Sequence, residues 1–256
     1  MVDIIMVLVG LFLLFMGGEG LVKGSVALSN QFGLSKTLVS VVIIGFGTSM
    51  PEMTVSISAA LKGSPDIALG NVVGSNIANI LLIIGIVAVF SPLAVSAADV
   101  RRDAMVMMLS ALILCGLSLI GFIHFAAGLL MILALFIYIV WACREDKKQE
   151  HLVVENNMTI AGASVMSFLG LALLVIGSYI MVEGAIALAR TFNISEAVIG
   201  LTIVAIGTSL PELITSLIAV LRKETELVIG NILGSNIFNI FAILGTTAIV
   251  SPIPME

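Results

Sequence analysis

Eight apolar stretches, each about long enough to cross a lipid bilayer as a helix, constrain this chain more than any other feature. A helix needs about 20 apolar residues to span the hydrocarbon core. Only 11% of the residues are charged, whereas a soluble domain carries about a quarter. The sequence therefore predicts an all-α integral membrane protein with about eight transmembrane helices. They are expected at roughly 4–22, 38–60, 67–90, 104–122, 125–143, 162–188, 198–220 and 227–250.

Lysine and arginine are divided unevenly between the two sides that these spans define. Cytoplasmic loops collect these residues. One side carries nine of the eleven, and the other carries only Lys62 and Arg190. We therefore expect a multi-pass protein of the cell membrane, with its N-terminus outside and a cytoplasmic linker at 144–161. The nine are Lys23, Lys36, Arg101, Arg102, Arg144, Lys147, Lys148, Arg222 and Lys223.

The chain repeats itself at a constant offset of 160 residues. GTSMPE at 47–52 returns as GTSLPE at 207–212, and GNVVGSNIANI at 70–80 returns as GNILGSNIFNI at 230–240. Five spans separate the two units, an odd number, so the second enters the membrane from the opposite side. Inverted repeats of this kind place transporter substrate sites near the midplane, at the repeat interface. The predicted repeats are 1–143, with five helices, and 162–256, with three.

The first repeated motif interrupts an apolar helix with a proline. Pro51 and Pro211 lack a backbone N–H, so carbonyls one turn earlier, near Gly47 and Gly207, are left short of partners. In lipid, such groups must be satisfied by protein, water or a bound ion. A kink with no function, packed through small polar residues, is the alternative interpretation.

Each proline is followed by a glutamate at mid-membrane depth. A charge at that depth costs several kcal/mol unless it is paired. No lysine or arginine lies at a matching depth within the spans, so the expected partner of Glu52 and Glu212 is a mobile cation.

Neutral oxygen ligands accompany the two carboxylates. Ser75 and Asn79 are four residues apart and share a helix face, as do Ser235 and Asn239. An all-oxygen ligand set suits Ca²⁺ and also Na⁺, and it disfavours copper or zinc. Further hydroxyls come from Thr48, Ser49, Thr208 and Ser209, while Asn76 and Asn236 are expected to satisfy the broken backbone.

These duplicated motifs resemble those of the sodium/calcium exchanger family of calcium/cation antiporters, and the resemblance covers most of the chain. It implies a central diamond of the helices that carry the motifs, across which helices one and six slide. It implies Ca²⁺ held mainly by Glu52 and Glu212, helped by Thr48 and Thr208. The Na⁺ ligands that it implies are the same glutamates, Ser49, Ser75, Ser209, Ser235 and the carbonyls of Gly45 and Ala205.

The chain departs from that family in two ways. Some relatives have an acidic residue where Asn239 stands. Family members also usually have ten spans, and the counterparts of 104–122 and 125–143 are missing from the second repeat. We therefore expect a truncated chain, an incomplete product, or a homo-oligomer or partner that supplies the missing helices.

The leading functional prediction is Na⁺-driven Ca²⁺ antiport by alternating access, with no cofactor and no enzymatic activity. H⁺/Ca²⁺ or other cation/H⁺ exchange through the same glutamates is an alternative, since a buried carboxylate can also bind a proton. A non-transporting membrane subunit is the third hypothesis. The lipid bilayer and the transported ions are the expected partners, and nucleic acid is not.

Three side chains outside the motifs also carry predictions. Glu19 is expected either to pair with Lys23, one turn later, or to line a vestibule. Tyr138 and Trp141 are expected to anchor their helix at the membrane interface.

Overall fold

The computed structural model of the chain describes residues 2–147, 158–195, 202–203 and 205–255. It confirms the prediction of an all-α membrane fold. The helical elements are α1 (Val2–Phe32), α2 (Lys36–Val39), π1 (Ser40–Gly45), α3 (Phe46–Thr48), α4 (Met50–Leu61), α5 (Pro65–Ile77), π2 (Ala78–Ile83), α6 (Ile84–Phe90), α7 (Ala97–Ile120), α8 (Phe125–Asp146), α9 (Ile160–Thr191), α10 (Ala205–Thr208), α11 (Leu210–Leu221), α12 (Thr225–Phe238), π3 (Asn239–Leu244) and α13 (Gly245–Val250).

Six helical segments in the described part of the chain are long and apolar enough to cross a membrane. A seventh is formed by Lys36–Thr48 together with α4, which meet at a 43° bend. The predicted span 198–220 is described from residue 205 onward, with Thr202 and Ile203 before it. The total of eight spans therefore stays a prediction.

The first and sixth spans are longer than the sequence predicted. α1 contains 31 residues and α9 contains 32, where a bilayer needs about 20. Both helices continue past their apolar stretches because they pack against each other along their lengths. Helices this long lie tilted in a bilayer or extend beyond it.

Glycines bring α1 and α9 into direct backbone contact. A Cβ atom added at Gly17 would lie 2.7 Å from the carbonyl oxygen of Gly170, and one added at Gly10 would lie 2.7 Å from that of Gly177. Small residues let membrane helices approach in this way. The two antiparallel helices therefore form one closely packed pair. The interface glycines recur every seven residues, at Gly10, Gly17 and Gly24 in α1 and at Gly170, Gly177 and Gly184 in α9.

The repeated motif helices differ sharply in burial although their sequences are similar. In the second repeat, 94% of the most apolar 18 residues of Thr225–Val250 are buried. In the first repeat, only 28% of the most apolar 18 residues of Pro65–Phe90 are buried. The difference arises because α7 and α8 pack against the second-repeat helix. The second-repeat helix therefore forms the centre of the molecule.

A short antiparallel ladder, which the sequence analysis did not predict, closes one end of the bundle. Strand β1 (Phe122–Ile123) pairs with β2 (Ile253–Pro254), and the backbone N–H of Met255 donates to the Gly121 carbonyl at 2.8 Å. The turn between α7 and α8 and the segment after α13 therefore lie at the same end of the molecule.

The prediction that Tyr138 anchors its helix at the membrane interface is wrong. The side chain is buried, and its hydroxyl donates to Asp103 Oδ1 at 2.9 Å. Asp103 is also held by the neighbouring Arg102, whose Nε lies 2.6 Å from Oδ1. Trp141, in contrast, is 44% exposed, as an interfacial residue would be.

Glu19 makes the predicted pair with Lys23 at 3.1 Å and a second one that the sequence did not indicate. Arg222, just after α11, donates from Nε to Glu19 Oε1 at 2.9 Å and from its terminal nitrogen to the other carboxylate oxygen. Bonding to Glu19 raises the pKa of Arg222 above its usual value. Glu19 therefore ties the long helix pair to the end of α11.

Candidate cation-binding site

Both glutamates stand in the first turn of a helix that restarts after a break. Ser49 and Ser209 lie at the two breaks with nearly equal backbone angles, φ −83° and ψ 6° at the first, φ −88° and ψ 7° at the second. Proline follows within the first two helical positions in each case. The N-terminus of a helix carries partial positive charge, so the break offers the carboxylates of Glu52 and Glu212 a favourable position. The predicted helix break is confirmed at both copies.

Each carboxylate receives a hydroxyl from the opposite repeat. Ser209 Oγ donates to Glu52 Oε1 at 3.4 Å and Ser49 Oγ donates to Glu212 Oε1 at 3.2 Å. Ser75 adds a third contact, at 3.5 Å from Glu52 Oε1. Both glutamates are 1% exposed. The inverted repeat thus brings the two carboxylates into one buried polar region between its halves.

The second oxygen of each carboxylate has no partner among the residues that the structure describes. Oε2 of Glu52 and Oε2 of Glu212 are buried and accept no hydrogen bond from those residues, and the same is true of Oδ1 of Asn79 and of Asn239. Within the described part of the chain, neither glutamate forms an ion pair. Burying a charge without a partner is strongly unfavourable, so the arrangement has the chemistry of a cation site.

The predicted hydroxyl and carbonyl ligands lie at the same interface. Thr48 Oγ1 is 3.4 Å from Ser235 Oγ, which donates to the Gly45 carbonyl at 3.3 Å. Thr208 is within hydrogen-bonding reach of Glu52. Ala205 is the first residue of α10 and borders residues outside the described ranges, so its role stays a prediction.

The backbone carbonyls near the breaks have partners that the sequence did not suggest. Ser178 Oγ, from α9, donates to the Gly207 carbonyl at 2.7 Å. The expectation that Asn76 and Asn236 fill this role is wrong. Asn236 Nδ2 donates to the Ile232 carbonyl of its own helix at 2.8 Å. A side chain four residues further along a helix lies on the same face as that carbonyl.

Asn76 instead joins the two repeats to each other. Its Oδ1 accepts from Asn239 Nδ2 at 2.9 Å, and its Nδ2 donates to the Asn236 carbonyl at 3.4 Å. Asn239 Oδ1 has no partner in the described ranges. The amide of Asn239 is thereby oriented with its nitrogen toward Asn76 and its oxygen available to a ligand.

Three π-helical segments with both ends in the described part of the chain accompany the candidate ligands, and Thr202 and Ile203 are π-helical as well. Gly45 ends π1, Asn79 is the second residue of π2 and Asn239 begins π3. A π turn is rare and often marks a functional position within an α-helix. The sequence analysis missed these segments, since their Val, Ile and Leu residues carry no pattern that distinguishes a π turn from an α turn.

Sequence analysis also missed a pair of asparagines that start the second motif. Asn71 Nδ2 donates to the Glu52 carbonyl at 3.1 Å and to Ser56 Oγ at 3.0 Å. Asn231 Nδ2 makes the equivalent bonds at 3.2 Å and 2.9 Å. The available signal was the repeat itself, because both asparagines follow their glutamate by 19 residues.

Comparison with known proteins gives consistent matches over nearly the whole chain. The family model described as "Sodium/calcium exchanger protein" matches residues 2–144 and 162–256. The putative antiporter CaxA of Alkalimonas amylolytica is 40% identical over 98% of this chain and 82% of the relative. Sodium/calcium exchanger MaX1 of Methanosarcina acetivorans is 29% identical over 98% of this chain and 84% of its own.

A solved structure matches as well. The sodium/calcium exchanger from Methanococcus jannaschii superposes with a TM-score of 0.89 at 31% identity, covering 99% of this chain and 83% of that one.

Proposed function

Since this chain belongs to the sodium/calcium exchanger family, we propose that it is a secondary active antiporter that couples Ca²⁺ movement to a Na⁺ gradient. The family consists of transporters rather than enzymes, and cation/Ca²⁺ exchange follows from membership. Na⁺ as the coupling ion is the finer proposal. One observation supports cation exchange at the repeat interface: two buried carboxylates from opposite repeats each have one oxygen without a partner among the described residues, and neutral oxygen ligands surround them.

The proposed Ca²⁺ ligands are the two glutamates with the neighbouring threonines. Ca²⁺ takes six to eight oxygen ligands, carboxylates among them. Glu52 and Glu212 supply the charge, and Thr48 and Thr208 supply hydroxyl oxygens from the turn before each break. Asn79 and Asn239 contribute neutral amide oxygens.

The proposed Na⁺ ligands use the same carboxylates with the serine hydroxyls. They are Ser49, Ser75, Ser209 and Ser235, with the backbone carbonyls of Gly45 and Ala205. The contacts of Ser49, Ser75 and Ser209 to carboxylate oxygens support this assignment, since a cation between such oxygens replaces their hydrogen bonds.

Charge balance makes the two ions mutually exclusive. Glu52 and Glu212 carry −2 when both are ionised, which one Ca²⁺ or two Na⁺ neutralises. A third Na⁺ leaves +1, which the polar groups around it must disperse in a medium of low dielectric constant. Simultaneous loading with Ca²⁺ and Na⁺ leaves a larger excess, so Na⁺ inhibits Ca²⁺ binding competitively with a Hill coefficient above one.

The moving element in this proposal is the glycine-packed pair of α1 and α9. Their backbones are too close to slide past each other without separating, so they move together across the core that holds the glutamates. Orientation is proposed from the charge distribution, with the N-terminus outside and 144–161 cytoplasmic.

The deciding experiment is Ca²⁺ uptake into proteoliposomes that contain the purified chain. An outward Na⁺ gradient is expected to drive uptake, and replacing Na⁺ by choline to abolish it. Uptake that follows a proton gradient in choline medium would establish H⁺/Ca²⁺ exchange instead. Absence of Ca²⁺ flux under both gradients would favour a non-transporting subunit and contradict the proposal.

A further inference from the structure

Asn231 contacts the candidate site through both ends of its amide. The side chain is 1% exposed. Its nitrogen donates to the Glu212 backbone carbonyl at 3.2 Å and to Ser216 Oγ at 2.9 Å. Both acceptors belong to α11, whereas Asn231 belongs to α12. The amide therefore fixes the turn of α11 that presents the Glu212 carboxylate.

The oxygen of the same amide faces two candidate ligands. Thr48 Oγ1, from the opposite repeat, lies 3.2 Å from Asn231 Oδ1, and Ser235 Oγ lies 3.4 Å from it. A hydroxyl has one hydrogen to donate and two lone pairs to accept with. A hydroxyl can bind a cation only through a lone pair, so the direction of its hydrogen decides whether it is a ligand.

Each hydroxyl has an alternative acceptor that is itself a backbone group. Thr48 Oγ1 lies 3.0 Å from the Ile44 carbonyl, and Ser235 Oγ lies 3.3 Å from the Gly45 carbonyl. When a cation takes the Gly45 carbonyl oxygen, the Ser235 hydrogen needs another acceptor. Asn231 Oδ1 can accept this hydrogen, because it lies 3.4 Å from Ser235 Oγ.

We propose that Asn231 is a positioning residue of the transport site. It holds Glu212 through the backbone and accepts the hydrogens of Thr48 and Ser235, so that the lone pairs of both hydroxyls face the cation. The inference rests on the proposed function, because Asn231 has this role only if Ca²⁺ and Na⁺ bind between the repeats.

The repeat mate Asn71 offers an internal comparison. Its nitrogen makes the equivalent bonds to the Glu52 carbonyl and Ser56. Asn71 is less buried than Asn231, so water can replace its lost hydrogen bonds more easily. Removing the Asn71 amide should therefore affect ion binding less than removing that of Asn231.

The test replaces Asn231 with leucine, which preserves volume without hydrogen bonds, and with alanine. Equilibrium ⁴⁵Ca²⁺ binding to purified protein and Na⁺-driven uptake are measured for each. We expect the half-saturating Ca²⁺ concentration to rise about tenfold in both variants, the factor that corresponds to losing one or two neutral hydrogen bonds. The maximal uptake rate should change little, because the amide acts on binding. Asn71→Leu should raise the half-saturating concentration less.

Ser40→Ala is the control for general loosening. Ser40 is fully buried, and its hydroxyl donates to the Leu227 carbonyl of α12 at 2.6 Å. The change therefore removes a buried hydrogen bond to the same helix without altering a candidate ligand. The half-saturating concentration of this variant should equal that of the wild type.

Two results would overturn the inference while leaving the proposed function intact. The first is unchanged Ca²⁺ affinity in both Asn231 variants. The second is an equal loss of affinity in Ser40→Ala, which would indicate general loosening. Wild-type protein that neither binds nor transports Ca²⁺ would overturn the proposed function, and the inference with it.

Discussion

Glu212→Gln should abolish Ca²⁺ transport and leave the protein folded. Glutamine keeps the size of the side chain and an oxygen that can accept the hydrogen bond from Ser49. In the wild type, Ser49 Oγ lies 3.2 Å from Glu212 Oε1. It removes one of the two negative charges of the proposed cation site. The same reasoning applies to Glu52, which receives the hydroxyl of Ser209 at 3.4 Å.

The magnitude follows from the burial of both groups, each 1% exposed. Removing one partner of a buried ion pair costs about 3–5 kcal/mol, because the remaining charge stays uncompensated. Each 1.4 kcal/mol is a factor of ten, so Ca²⁺ affinity should fall roughly 100- to 4,000-fold.

The assay is Na⁺-gradient-driven ⁴⁵Ca²⁺ uptake beside thermal melting of the same preparations in detergent. Glu183→Gln is the matched control, since Glu183 is an exposed glutamate of α9 and the change removes the same charge. It should transport like the wild type. Wild-type uptake by the Glu52→Gln, Glu212→Gln double variant would refute the reasoning, because the carboxylates would then be structural.

Three further predictions concern the frame around the site. A cysteine at Lys147 should react with impermeant reagent only from the cytoplasm and one at Asp66 only from outside, and reversed labelling would contradict the proposed orientation. Tyr138→Phe removes a buried 2.9 Å hydrogen bond to an aspartate and should destabilise the fold by about 1.5–3 kcal/mol, measured as a lower melting temperature; an unchanged one would show that the bond is unimportant. Glu19→Gln weakens the link between α1 and Arg222. Because the pair of α1 and α9 is the proposed moving element, this variant should change the Ca²⁺ uptake rate more than the Ca²⁺ affinity, and a change confined to affinity would count against a role of Glu19 in that movement.

Sequence reasoning located the carboxylates because each is a chemical exception within its surroundings. Glu52 and Glu212 are ionisable residues inside apolar helices, and the constant repeat offset excluded coincidence. The helix breaks at Ser49 and Ser209 were predictable for a similar reason, since proline acts on the turn immediately before it.

The missed features depend on distant contacts. Spacing along a helix predicts which residues share a face, but Asn231 bonds to α11 and to Thr48 of the other repeat. Tyr138 looked interfacial from its position in an apolar helix, yet its partner Asp103 is 35 residues away. The unequal burial of the two motif helices was likewise invisible, because their sequences are similar and only their neighbours differ.

The π segments also set the rotational phase of the spans in which they lie. A regular helix turns about 100° per residue, and a π turn accommodates one extra residue in the helix. Deleting Leu81, whose side chain is 70% exposed, would allow π2 to relax to α geometry. Asn79 would stay in place while α6 rotated by about 100°. A one-codon insertion or deletion at these segments is therefore an evolutionary step that turns one half of a membrane helix to a new neighbour without moving the ligands in the other half.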